Sequence, residues 1–374
     1  MTRSRSPAVL VVALLAGLCV SSRGPQAEPR PPVGPAPSVQ VFFGPKAADD
    51  PQGLVANLLG FIDGARTSLH GCIHELDMVV VAERLAARAA AGVDVAIVVE
   101  SRWWFAPKVT AARQVLAKSK VRVIPDTKVG GLMHNKFLVA DGKRVWTGSV
   151  NFTETCLLYN PNNGIVLNDA RIAANFETEF AEEAEGRFGK KGSGRNNTPH
   201  PTVTVADGGM VETYFAPEDE PMTRLITAAS TATTSIDVMC FVFSHEGLCD
   251  ALVAARKRGV RVRVLLDNAF SKPTITARWK CVPAEVLKAA GASVKYDDEQ
   301  AKLHHKVMIV DGSTVVTGSF NFSAGAALDN DENVLVLRHA GAVRSYTAEF
   351  ERLWAFYGGD PGAAPDPEVG DDEQ

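Results

Sequence analysis

The chain has 374 residues and a formal net charge of −4, and it contains no long basic run. Non-specific nucleic-acid binding draws its affinity from neutralised phosphates and leaves a basic stripe in the sequence. The composition gives no support to that mode, although a few lysines inside one cleft would not register in the net charge. Cysteine is scarce, with six residues and none in C-x-x-C spacing, so nothing points to zinc ligation or thiol redox chemistry. Cys72 and Cys240 sit inside apolar, strand-like runs and read as small buried hydrophobes. With Cys156, Cys249 and Cys281 they make an odd set whose pairing the sequence does not give. The uncharged stretch Pro7–Val20 falls short of the about 20 apolar residues that a bilayer core requires.

What is there begins with that same stretch. Arg3 and Arg5 precede it and small or polar residues follow it, the pattern of a cleaved secretory signal over residues 1–27. The expected location is therefore secreted or periplasmic. A lipoprotein anchor at Cys19 is the weaker reading, because Leu18 stands where a lipid-attachment box wants a small residue. Residues 28–37 form a Pro-rich linker, and residues 359–374 an acidic tail without periodicity that reads as disordered. Hydrophobic residues make up 46% of the chain and charged residues 22%. That is ordinary globular composition, in a chain long enough for two domains.

The most informative feature is an internal repeat. HNKFLVADGKRVWTGSVNF, starting at His134, aligns without a gap with HHKVMIVDGSTVVTGSFNF, starting at His304, at a constant offset of 170. The matches are His, Lys, Asp, Gly, Thr, Gly, Ser, Asn and Phe, in order. Upstream, the strand-like runs Val39–Gly44, Ser68–Ile73 and Val93–Glu100 correspond to Val211–Ala216, Ser235–Cys240 and Val260–Asp267. Helical spacing over Val81–Ala91 and Gly247–Arg258 ends in each case at a glycine, Gly92 or Gly259, suited to a left-handed cap. Strand alternating with helix predicts an α/β fold: two similar α/β domains with mixed, largely parallel sheets flanked by helices. The expected domains are residues 38–187 and 210–358, joined by a Gly/Asn/Pro-rich linker at 188–209.

In both copies H-x-K lies on a run expected to be a strand, where residues two apart share a face. His134 and Lys136 then point the same way, as do His304 and Lys306. An imidazole beside an ammonium suits a tetrahedral phosphate: the Lys neutralises oxygen charge while the His attacks or donates a proton. Asp141 and Asp311 complete the two catalytic sets. Ser149 and Asn151, and Ser319 and Asn321, follow in G-S-x-N-F and can bind phosphate oxygens or orient the imidazoles. A single such match would more often be structural. Two in register leave that explanation little room. Asn151, Asn321 and Asn196 also fit the glycosylation sequon, but for the first two the repeat is the better explanation.

The paired HNKFLVAD…GSVNF and HHKVMIVD…GSFNF segments resemble the duplicated HKD motifs of the phospholipase D superfamily, and the resemblance runs from Val39 to Trp354. It implies two α/β domains related by a pseudo-two-fold axis, with both motifs meeting in one interfacial site. It also implies metal-independent cleavage of a phosphodiester through a phosphohistidine, with no cofactor. Lys136, Lys306, Asn151 and Asn321 would hold the non-bridging oxygens. In the family a Glu eleven residues after the motif Asn commonly bonds the imidazole; here the second half has Glu332 and the first has Asn162. Placing Glu332 beside His304 predicts that His304 is held protonated as the acid. His134, beside an amide, then stays neutral and attacks.

Remaining features bear on the substrate. His74 stands where relatives often carry Tyr and reads as a pocket residue or, the preferred reading, a packed one. Arg256, Lys257, Arg258, Arg261 and Arg263 read as a solvated helix end and strand face rather than a nucleic-acid patch. The loops after Glu100 and Asp267, carrying Arg102, Trp103, Trp104, Phe105, Phe270 and Trp279, are expected to border the site. Their aromatics could dip into lipid, stack on bases or cover the seam between domains. The leading expectation is hydrolysis of a glycerophospholipid headgroup ester to phosphatidic acid, with phospholipid or a membrane surface as partner. The alternative is a secreted endonuclease acting on DNA or RNA, and a third reading is a non-catalytic phosphate-binding module. With both motifs in one chain, a monomer needs no protein partner to complete the site.

Overall fold

The computed structural model describes residues 36–128, 130–189, 197–276, 281–297 and 301–357. The expected signal, nearly all of the Pro-rich segment, the acidic tail, Asn196 and Trp279 lie outside the described residues.

Seven strands of the first half form one sheet: β1 (Val39–Gly44), β2 (Ser68–Ile73), β3 (Asp94–Val99), β4 (Arg122–Pro125), β5 (Lys136–Ala140), β6 (Arg144–Gly148) and β7 (Asn162–Leu167). Their order is β1-β7-β6-β5-β2-β3-β4. The second half repeats this plan with β8 (Thr202–Thr204), β9 (Met210–Ala216), β10 (Ser235–Cys240), β11 (Arg261–Leu266), β12 (Ser293–Tyr296), β13 (Lys306–Val310), β14 (Thr314–Gly318) and β15 (Glu332–Arg338). There the order is β12-β11-β10-β13-β14-β15-β9-β8. Strands β1, β2 and β10 have the bounds read from sequence. The seam does not stay a linker throughout: β8 adds to the edge of the second sheet and buries Val203.

The sheets are mixed but not largely parallel. Only β2–β3–β4 and β10–β11–β12 run parallel, where helices such as Val79–Ala90 and Glu246–Lys257 make the crossover. The strands carrying H-x-K instead pair antiparallel with both neighbours, in β2–β5–β6–β7 and β10–β13–β14–β15, and tight turns join β5 to β6 and β13 to β14. The turn residues Asp141 and Gly142, and Asp311 and Gly312, all have positive φ. The crossover helices end as read from sequence, at Gly92 and Gly259 with φ of 90° and 92°.

Helices cover the outer face of each sheet, and two others lie between the sheets. Ala170–Ala184 packs on the first sheet and reaches β9; Ala340–Phe356 packs on the second and reaches β1. Phe176, Phe180, Tyr346 and Phe350 from these two helices join Val39, Phe137, Val307 and Leu335 in a core shared by both halves. Each large aromatic buried there contributes about 2–3 kcal/mol. The halves are thus fused through a common interior, which fixes the two H-x-K segments relative to one another.

Candidate active site

Each H-x-K segment enters its strand by pairing with the opposite half. His134 N donates to Asp331 O (2.9 Å), and His304 N donates to Pro161 O (2.9 Å). One residue pair earlier the symmetry holds again: Leu132 N donates to Asn330 Oδ1 (3.0 Å) and Lys302 N to Asn160 Oδ1 (3.2 Å). Between the H-x-K residues, Asn135 accepts from Asn333 Nδ2 (2.9 Å), and His305 Nδ1 lies 3.1 Å from Asn163 Nδ2. The four catalytic candidates His134, Lys136, His304 and Lys306 are brought together by this exchange, and all are buried. Lys136 Nζ donates to His134 O (2.7 Å); Lys306 Nζ donates to His304 O (3.1 Å) and lies 3.0 Å from His304 Nε2.

The exchange also reverses the expected partners of the imidazoles. Glu332 does not bond His304: its Oε2 lies 2.6 Å from Nδ1 of His134. His304 Nδ1 lies 2.9 Å from Asn162 Oδ1. The Asn162 amide is oriented by its own donor, Nδ2, which goes to Cys156 O (3.1 Å), so its oxygen faces the imidazole and accepts Nδ1–H. The sequence reading failed here because it paired each His with a residue of its own half. The antiparallel strands instead place β7 and β15 against the other half's H-x-K entry.

The serines hold these acceptors rather than a substrate. Ser149 Oγ donates to Asn162 Oδ1 (2.8 Å) and Ser319 Oγ to Glu332 Oε2 (2.7 Å), while each accepts from the backbone N–H of Asn163 or Asn333 (3.0 Å). The preceding glycines, Gly148 and Gly318 (φ 140° and 145°), allow this approach: a Cβ there would lie 2.3 and 2.1 Å from Asn163 O and Asn333 O. Asn151 and Asn321 are buried, and the side-chain oxygen of each has no hydrogen-bond partner among the described residues. The sequon positions Thr153 and Ser323 are helix caps, accepting from Cys156 N and Ala326 N.

Asp141 and Asp311 are not in the site. Each lies seven residues beyond its His, roughly 20 Å along extended chain, at the far end of β5 or β13. Asp141 Oδ1 accepts from the N–H groups of Arg66, Thr67 and Ser68 (2.8, 2.7 and 3.2 Å). Asp311 does the same for Thr233, Thr234 and Ser235. Burial works against the Asp141 carboxylate, but these donors hold it at about 2, and Asp311 lies still further below the ordinary range. Both tie the turn after an H-x-K strand to the start of β2 or β10.

A cavity of about 250 Å³ opens beside His304. Asn151, Glu75, Trp103, Lys108, Phe270 and Lys302 are among its lining residues, so the loops after Glu100 and Asp267 border the site as expected. Trp104 is buried and Phe105 exposed. His74 is buried, with its ring edge-on to His134 at 4.5 Å and its Nδ1 3.7 Å from Glu75 Oε1, and Phe241 takes the same place against His304 at 4.9 Å. Glu75, Lys108 and Lys302 were not legible as site residues. Asn160, Asn163, Asn330 and Asn333 could have been found, because each pair recurs at the same offset of 170. The arginines after the second crossover helix serve structure: Arg258 bonds Ala229 O and Ala232 O, and Arg263 pairs with Asp237 and Glu351.

Away from the site, the carboxylates of Glu179, Glu182 and Glu218 come within 4.8 Å of one another. Asn135 and Arg187 already bond two of them, and burial pushes Glu218 up to about 8. This acidic group is formed by the helix Ala170–Ala184 and the turn after β9, not by residues next to the imidazoles.

The family profile described as "Cardiolipin synthase, PLD-like domain" matches residues 58–184 and 225–354. Mitochondrial cardiolipin hydrolase of Xenopus tropicalis is 35% identical over 139 residues, 37% of this chain and 63% of that protein. Phospholipase D of Rickettsia bellii is 33% identical over 147 residues, 39% of this chain and 70% of that protein. This chain thus spans less than two thirds of the cardiolipin hydrolase it matches. Phosphatidylserine synthase of Haemophilus influenzae shares the fold over 84% of this chain and 85% of its own, with a TM-score of 0.62 at 13% identity.

Proposed function

The chain belongs to the phospholipase D superfamily, and from that premise we propose that it is a phosphodiesterase that hydrolyses the headgroup ester of a glycerophospholipid through a phosphohistidine. The observation carrying this reading is the cross-half exchange, His134 with Glu332 and His304 with Asn162, around two lysines in one site.

The assignment of His134 to attack keeps its outcome but changes its reason. Glu332 accepts Nδ1–H of His134, which fixes the tautomer with the lone pair on Nε2. As the Nε2–P bond forms, the ring becomes cationic, and an adjacent buried carboxylate stabilises that charge in the transition state. His304 is held by a neutral amide oxygen, which grips a proton less strongly. An anionic phosphate draws Lys306 from His304 Nε2 and favours protonation there. In the first step N–P forms, P–O breaks, and the Nε2 proton of His304 goes to the leaving oxygen. In the second, His304 takes a proton from water as the water oxygen bonds phosphorus and N–P breaks. Lys136, Lys306 and the amide groups of Asn151 and Asn321 hold the non-bridging oxygens throughout.

A lipid is favoured as substrate by two relatives named for lipid hydrolysis and by arginines engaged in structural contacts. Export, which rests on the N-terminal sequence alone, is part of the proposal. The test offers phosphatidylcholine and cardiolipin vesicles, plasmid and single-stranded DNA to the protein with EDTA present. Lipid turnover is expected, with His134→Ala and His304→Ala each losing at least about a thousandfold. Turnover of DNA alone would replace the lipid reading with the nuclease one.

A further inference from the structure

The phosphate-binding core repeats across the two halves, but its surroundings do not. Lys302 precedes His304 by two residues and lines the cavity beside it. At the matching position of the first half stands Leu132, which is buried and apolar. The Lys302 ammonium lies over Phe241 and Phe270, 5.4 and 5.6 Å from the ring centroids. Lys306 of the phosphate site lies over the same Phe241 ring at 4.9 Å. Two cations therefore share one aromatic ring, one in the repeated core and one outside it.

The other charges in the cavity are engaged. Glu75 is paired with Lys108 at 2.9 Å, and Asp77 accepts from Glu154 N at 2.8 Å. Asp267, whose field reaches Lys302, is turned to the N–H groups of Phe270 and Leu303. Lys302 forms no ion pair among the described residues and is held by aromatic faces, which leave its charge available to a ligand. His304 protonates the leaving oxygen in the mechanism above, so the leaving alcohol occupies this cavity.

We propose that Lys302 forms a subsite for an anionic group, a second phosphate by preference, on the leaving alcohol of a lipid substrate. This rests on the lipid reading above and deepens it: the two-fold core binds the scissile phosphate, and Lys302, on one side only, recognises the headgroup and sets which ester bond faces His304. A choline headgroup brings a cation to Lys302, whereas a lipid with a second phosphate pairs with it.

The test measures kcat/KM on cardiolipin and phosphatidylcholine vesicles for the full protein and for Lys302→Gln, which keeps much of the side chain's length. The ratio of cardiolipin to phosphatidylcholine should fall about tenfold in the variant, a typical loss for a charge-assisted contact. An equal loss on both lipids, or an unchanged ratio, overturns the proposal. A second arm needs no turnover. Calorimetry should show glycerol bisphosphate binding more tightly than glycerol phosphate to the unmodified protein, with the gap closing in Lys302→Gln. Absence of that gap overturns the subsite even if lipids are hydrolysed. If single-stranded DNA alone is turned over, the lipid reading fails, and the bisphosphate arm still decides whether Lys302 binds a second phosphate.

Discussion

The two imidazoles of the site occupy matching positions and differ most in the acceptor that holds Nδ1, beside a ring contact from His74 in one case and Phe241 in the other. His134 is held by a carboxylate from β15, and His304 by an amide from β7, each acceptor steadied by the serine of its own half's G-S-x-N-F. The backbone exchange, the serine bonds and the lysine positions are otherwise parallel. A duplicated scaffold thus supplies two copies of a phosphate clamp, and one substitution, Glu for Asn, gives the copies different chemistry. In the mechanism proposed above, the charged acceptor supports the ring that becomes cationic by forming a bond to phosphorus. The neutral one leaves its ring free to give a proton away.

Breaking that difference should have the largest effect. Glu332→Gln removes the charge while keeping the shape, and kcat should fall on the order of a thousandfold, by analogy with loss of the carboxylate from a His–Asp pair; steady-state kinetics on a soluble diester measures it. The reciprocal change, Asn162→Asp, gives His304 a carboxylate as well. It should carry the alkaline limb of the pH–rate profile upward by about one pH unit, at a cost of about tenfold in kcat as the acid becomes reluctant.

Much of this arrangement was legible before the fold was known. The repeat placed β1, β2 and β10 at their observed bounds, located the glycine caps, and pointed to His134, Lys136, His304, Lys306, Asn151 and Asn321, all of which the fold buries. What the sequence could not convey was which half's acceptor meets which imidazole, because that depends on how two similar sheets face each other. The same limit applies to the cavity, where Glu75, Lys108 and Lys302 arrive from separate loops. Asp141 and Asp311 misled for another reason. Their recurrence beside catalytic residues reflects a hairpin turn that each copy needs in order to tie its strand to β2 or β10.

That structural role predicts a smaller and separable effect. Asp141→Asn should cost about 1–2 kcal/mol of stability in chemical denaturation, like loss of a helix cap, with kcat retained. Because the folded carboxylate sits at about 2, below its unfolded value, its contribution is present above about pH 4 and is lost as pH falls toward 2. Two buried acids, Glu183 on the helix Ala170–Ala184 and Glu218 in the turn after β9, have the opposite sign. Burial raises Glu183 and Glu218 to about 8, so the fold retains protons that the unfolded chain releases above about pH 4.3. Stability should decline from there to about pH 8, and Glu218→Gln should flatten that slope in denaturation curves taken across the range.

The asymmetry itself is tested most directly by trapping the covalent intermediate. The protein is mixed with substrate, quenched rapidly in base, where a phosphohistidine survives, and the modified residue is located by mass spectrometry. The phosphoryl group is expected on Nε2 of His134, with little on His304 and none in Glu332→Gln at the same time point. Modification of His304 in its place would contradict the account, since the ring beside the amide, not the ring beside the carboxylate, would then be the nucleophile.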